Sequence, residues 1–147
     1  MTSRLPAAID ALLDTFGAVT QAYDGPEALP QVWPDELVIV GGTEDPDDDT
    51  ASASYEWAGL GAKKRNESGE ITCALVVQRG DIDVKANRDR AFAVMADLEA
   101  AVVIDPTLGG AVTSGWFLPS SVTYSQRQND RGSFARIVLT VSYQSRI

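Results

Sequence analysis

The order and periodicity of the segments predict an α+β fold: a mostly antiparallel sheet of about four to five strands with two helices packed on one face. Three observations carry this. Apolar residues recur at helical spacing near the N-terminus and again over residues 88–102, while the segments between and after them alternate with a period of two. The last alternating run is the cleanest, with Ala135, Ile137, Leu139, Val141 and Tyr143 on one face. At 147 residues the chain is read as one domain spanning 1–147, long enough to bury roughly 68–70% of its unfolded surface.

Ser3 can cap the first helix, with Arg4, Leu5 and Pro6 in its first turn, where the missing proline N–H does little harm. Leu5, Ile9, Leu12, Leu13 and Phe16 form its apolar stripe, and Gly17 ends it. Residues 18–34 hold three prolines and an Asp24-Gly25 turn, with a brief extended piece near Val19 to Tyr23. Glu36 to Val40 is a short strand closed by Gly41-Gly42, and the acidic run Glu44 to Asp49 is a loop by composition.

Ala51 to Trp57 places Ala53, Tyr55 and Trp57 on one face of a strand. Glu70 to Arg79 returns as another, with Ile71, Cys73, Leu75 and Val77 together. The two pair antiparallel around a long polar arm, Gly59 to Gly69, that carries Lys63, Lys64 and Arg65. The second helix shows a stripe of Arg88, Ala91, Met95, Leu98 and Val102, widened by Phe92, Val94 and Ala101. Pro106 stops it. Val112, Ser114, Trp116 and Leu118 then alternate on a strand that is interrupted at Pro119-Ser120-Ser121 and resumes over Val122 to Gln126. A turn over residues 128–132 leads into the last strand. Phe134 and Val138 lie on the opposite face of that strand, so something covers this face or it is a contact surface.

Composition narrows the function. The chain has no histidine and one cysteine, so it lacks the usual proton shuttle and cannot close an internal disulfide. No apolar run approaches the ~20 residues that span a bilayer, and the N-terminus carries no leader-like apolar core. Net charge is −9 and unevenly placed: residues 1–60 hold twelve acidic side chains against Arg4 alone, and residues 61–147 hold nine acidic and eleven basic. An acidic whole argues against tight nucleic-acid binding. A molecule with unlike regions can attract copies of itself, although acidity also serves plain solubility.

The candidate chemistry is thin. Asp45, Asp47, Asp49 and Glu56 stand at positions 1, 3, 5 and 12 of a calcium loop, but Thr50 takes the place of the required glycine and no helices flank it. Ser114-Gly115 and Ser120-Ser121 have no histidine partner and no nucleophile elbow. Cys73 lies on an apolar strand face and reads as a small buried hydrophobe. No catalytic, metal or cofactor-binding residue is expected. Lys63, Lys64 and Arg65 read either as a solvated loop tip or as a cationic arm that meets an acidic partner, and three charges without interleaved aromatics are too few for a nucleic-acid platform.

The second helix, the Asp105-Pro106-Thr107-Leu108-Gly109-Gly110 turn and the C-terminal strand Arg136 to Tyr143 resemble the tail terminator proteins of long-tailed bacteriophages. That resemblance implies an α+β virion structural protein that forms a hexameric ring, caps the tail tube, ends its polymerisation and joins tail to head. It implies no enzyme activity and no cofactor. Its partners would be further copies of the chain, the major tail tube protein and a head-completion or neck protein, with DNA passing through the ring without specific binding. The place would be the tail-neck junction of the virion, after assembly in the host cytoplasm. Lys63, Lys64, Arg65, Phe134 and Val138 are the residues expected at the assembly interface. The alternatives are another neck, head-closure or minor tail protein, or a small non-viral binding domain.

Overall fold

Two long antiparallel strands form the spine of the molecule. β4 (Arg65–Val77) and β7 (Gly132–Arg146) pair from Asn66 against Arg146 to Val77 against Ala135. Along the outer side of β4, β3 (Ala51–Trp57) and β2 (Glu36–Val40) sit end to end, and β1 (Gln21–Asp24) extends β2 in parallel. Along the outer side of β7, β5 (Ser114–Phe117) and β6 (Thr123–Asn129) do the same. The computed structural model describes residues 2–45, 47–48, 50–59, 61, 63–79, 84–118, 121–129 and 132–147. Among these the fold is α+β with seven strands in one mixed sheet, not four to five. The count rises because the extended piece near Tyr23 is a true strand and the segments flanking residue 119 are separate strands.

Helices α1 (Leu5–Gly17) and α2 (Val84–Ile104) both lie on one face of this sheet. Ala8, Leu12 and Phe16 of α1 are fully buried, with Leu5, Ile9 and Leu13 packed at the margin. The α2 stripe is Asn87, Ala91, Val94, Leu98 and Val102, one residue out of phase with the expected Arg88, which is exposed. The polar Asn87 takes the inward place because its Oδ1 accepts the Arg79 N–H at 3.2 Å, closing the end of β4. These helix residues meet Ile71, Cys73, Leu75 and Val77 of β4 and Ala135, Ile137, Leu139, Val141 and Tyr143 of β7. Burial pushes the Cys73 thiol up to about 12, which fits an inert packing residue.

Beyond α2, Asp105 organises the turn. Its carboxylate accepts the Thr107 hydroxyl at 2.6 Å and the Thr107 and Gly109 N–H groups at 3.2 and 2.9 Å. Leu108, Gly109 and Gly110 follow with φ of 50°, 69° and 89°. Leu108 adopts this left-handed conformation, unusual for a residue with a Cβ, while its side chain fills the core at 2% exposure. The strand after the turn presents the face opposite to the expected one. Phe117 points to the helices and meets Phe16 edge-on at 6.2 Å, while Trp116 faces away. Pairing decides this: Gly115 and Phe117 stand opposite the buried Tyr143 and Val141.

The other face of the sheet has its own small core. Leu37, Ile39, Ala74, Val76 and Phe134 are buried there under Tyr23, Leu29 and Trp33. Trp33 caps Phe134 edge-on at 5.9 Å, so Phe134, expected at an interface, is core. Next to it Arg136, 4% exposed, pairs with Glu44 and, at 3.1 Å, with Asp48. Glu44 and Asp48 are thereby held against the sheet, with the Thr43 hydroxyl donating to Asp48 at 2.6 Å. That Thr43 bond, with Arg136, holds the Asp48 carboxyl below its usual value.

Candidate assembly surface

At the end of the spine away from this second core, the helices stop and the β3–β4 hairpin continues. Trp57 stands opposite Arg65 and Tyr55 opposite Glu67. The Arg65 guanidinium lies over both rings, 5.2 Å from the Tyr55 centroid and 5.9 Å from that of Trp57. The rings are 45% and 64% exposed, an unusual state for large aromatics.

The expected long arm is shorter than its sequence indicates. Arg65 to Gly69 is strand, so the connection runs only from residue 58 to 64, closed by the Ala58 N–H on the Lys64 carbonyl at 3.1 Å. Leu60 and Ala62 lie outside the described residues. Lys63 and Lys64 are exposed on this turn. Gly69 belongs to the strand because Tyr143 requires it: a Cβ there would stand 2.1 Å from the Tyr143 ring.

Three chain segments converge on this end. Arg65 and Ile147 exchange backbone hydrogen bonds at 3.0 and 2.9 Å, and the Arg146 Nε donates to Asn66 at 3.5 Å. From the other terminus, the Arg4 N–H donates to the Glu67 carboxylate at 2.9 Å. Arg4, Lys63, Lys64, Arg65 and Arg146 therefore share one pole of a protein with net charge −9. Glu67 is fully buried beneath them and also accepts the Tyr143 hydroxyl at 2.7 Å. Burial pushes the Glu67 carboxyl up, but the Ser3, Tyr143 and Tyr55 hydroxyls and the Arg4 N–H together hold it below its usual value. Burial and the Glu67 charge raise the Tyr143 phenol.

The structure thus joins Lys63, Lys64 and Arg65 at one end and places Phe134 and Val138 elsewhere. Val138 is half-buried between Ala74 and Thr123. Sequence reasoning missed Tyr55, Trp57, Arg4 and Arg146. The aromatics were visible on one face of their strand, but reading Arg65 as loop hid that it pairs with Trp57. The linear charge asymmetry is also partly cancelled in three dimensions. Glu36 bonds to Arg90 at 2.6 Å and to Arg79 at 3.2 Å, as Glu44 and Asp48 bond to Arg136.

Among the described residues no helix is long and apolar enough to cross a membrane, and no group of three or more metal-ligating side chains is gathered. The calcium-loop spacing includes Asp49, which lies outside the described residues, and its neighbour Asp48 is engaged by Thr43 and Arg136. Comparison with protein-family models and with curated proteins finds no match to this chain.

Proposed function

We propose that this chain is a structural protein of a long-tailed phage virion, a tail terminator that closes the tail tube as a hexameric ring, ends tail polymerisation and provides the surface for head-tail joining. The observation that supports this best is the exposed pole of Tyr55, Trp57 and Arg65 with its surrounding cations. Trp, Tyr and Arg are the side chains that most often dominate protein–protein contacts, and here they project from a sheet whose other end is closed on both faces. A ring needs two unlike surfaces per subunit, and a cationic pole on an acidic protein supplies unlike surfaces. Its partners in this reading are further copies, the major tail tube protein and a neck protein. DNA passes the ring without specific binding, and the protein acts by contact, with no catalytic group or cofactor.

The test is particle morphology in the absence of the protein. Tails of irregular or excessive length, not joined to heads, are expected. Normal joined tails would rule the reading out, and tails of normal length that fail only to join would favour another neck component. A stable two-fold dimer in solution would also count against it, because an isologous pair occupies the surfaces a ring requires.

A further inference from the structure

Among the described residues, β3 and β6 have no strand on their outer side, and these two edges fit each other. The backbone bonds from Ala58 N–H to Lys64 and from Thr72 N–H to Thr50 set the alternation of the β3–β4 ladder. Even-numbered residues of β3 therefore bond to β4, and the N–H and C=O groups of Ala51, Ala53, Tyr55 and Trp57 point outward. On the other side, the reciprocal bonds of Arg65 and Ile147 direct odd-numbered β7 residues to β4 and even-numbered ones to β6. This leaves the backbone groups of Tyr124, Gln126 and Gln128 pointing outward from β6. By contrast, the outward Gly115 N–H of β5 is closed by the Pro106 carbonyl at 2.7 Å. Neither β3 (ASASYEW) nor β6 (TYSQRQN) contains the proline or lysine that commonly protects an edge.

We propose that the β3 edge of one copy pairs with the β6 edge of the next, extending the sheet from subunit to subunit. Three independent features agree. Three antiparallel steps separate β3 from β6, so they run in opposite directions and a neighbour in the same orientation adds antiparallel. The outward residues of both strands, represented by Ala51 and Tyr124, face the helix side, so matching hydrogen bonds also matches faces. Each strand carries one charge, Glu56 on β3 and Arg127 on β6; unlike edges attract, and a pairing of like edges gains no such attraction.

Two registers of matching parity overlap over six residues, and the one that brings Glu56 near Arg127 sets residues 52–57 against 124–129. Trp57 then faces Tyr124, which already contacts the exposed Phe92 at 5.8 Å, and Glu56 is diagonal to Arg127, within reach of a long side chain. Such head-to-tail addition closes into a ring if the rotation per subunit is right. The ring closure rests on the function proposed above; the contact itself rests on the two edges.

Disulfide trapping tests it on the purified full-length chain. Ser54 and Arg127 are exposed and directly opposite in this register, and Cys73 is buried and stays silent. Ser54→Cys and Arg127→Cys are purified separately, checked by thermal melting, then oxidised alone and as a mixture. A linked dimer that forms chiefly in the mixture is expected, and the double variant should give higher oligomers. A mixture without the heterodimer, or either single variant linking to itself as readily, would overturn the pairing. Heterodimers from a protein whose loss leaves tails normal would sink the terminator reading and leave this contact standing.

Discussion

The two ends of the same pair of strands are built differently. At the closed end, Cys73 to Val77 of β4 and Phe134 to Ile137 of β7 are buried without a break, because helices cover one face and Leu29 and Trp33 the other. At the open end, Arg65 to Glu70 is buried only at alternate positions, and the far face bears Ser52, Ser54, Ser68 and Glu70. The difference teaches that one sheet can hold a half covered on both faces and a half covered on only one. A strand buried on both faces reads as a continuous apolar run, and one buried on a single face alternates. That change occurs inside β4.

The comparison breaks most directly at Phe134 and Trp57. Phe134→Ala should cost about 3–5 kcal/mol, the usual range for emptying a core aromatic. Trp57→Ala, at a ring 64% exposed, should stay within ~0.5 kcal/mol of wild type. Urea denaturation of both variants checks the contrast; equal losses would place the open end in the folding core.

Gly69→Ala comes next. The added methyl collides with the Tyr143 ring, so a loss of about 1–3 kcal/mol is expected, typical of overpacking. An unchanged midpoint would show that the ring moves freely.

A smaller effect concerns acid. Glu67 and Asp48 are both held below their usual values. Their folded values thus lie below the unfolded ones, so their contribution is complete above the unfolded carboxylate range, near ~4, and is lost as pH falls through the folded values. Glu67→Gln should flatten the melting temperature against pH below that range and leave its slope near neutrality unchanged. A slope that matches wild type at low pH would show that Glu67 gains nothing from its buried partners.

Much of this architecture was legible in the sequence. The α1 stripe, the Ile71 to Val77 face and the Ala135 to Tyr143 face follow from periodicity alone, because their burial is one-sided and regular. The misreadings share a cause. Asn87 and Gly69 are placed by specific partners in Arg79 and Tyr143. Hydropathy cannot report such partners. Arg65 reads as loop in the sequence because a polar strand that extends beyond the core lacks an apolar face to betray it. The cationic pole was legible only in its Lys63 to Arg65 part, since Arg4 and Arg146 reach it from the two ends of the chain.

The most direct measurement uses the variant Lys63→Glu/Lys64→Glu/Arg65→Glu. Lys63 and Lys64 are exposed, worth only about 0.2–1 kcal/mol each, whereas Arg65 is half-buried over Tyr55 and Trp57. Lys63→Glu/Lys64→Glu is therefore made beside the triple variant and should melt close to wild type. Supplied in place of the native protein, each should yield tails of irregular length that fail to join heads, as if the protein were absent. A variant that melts normally and still gives joined tails of native length would contradict the assignment of assembly to this end of the sheet.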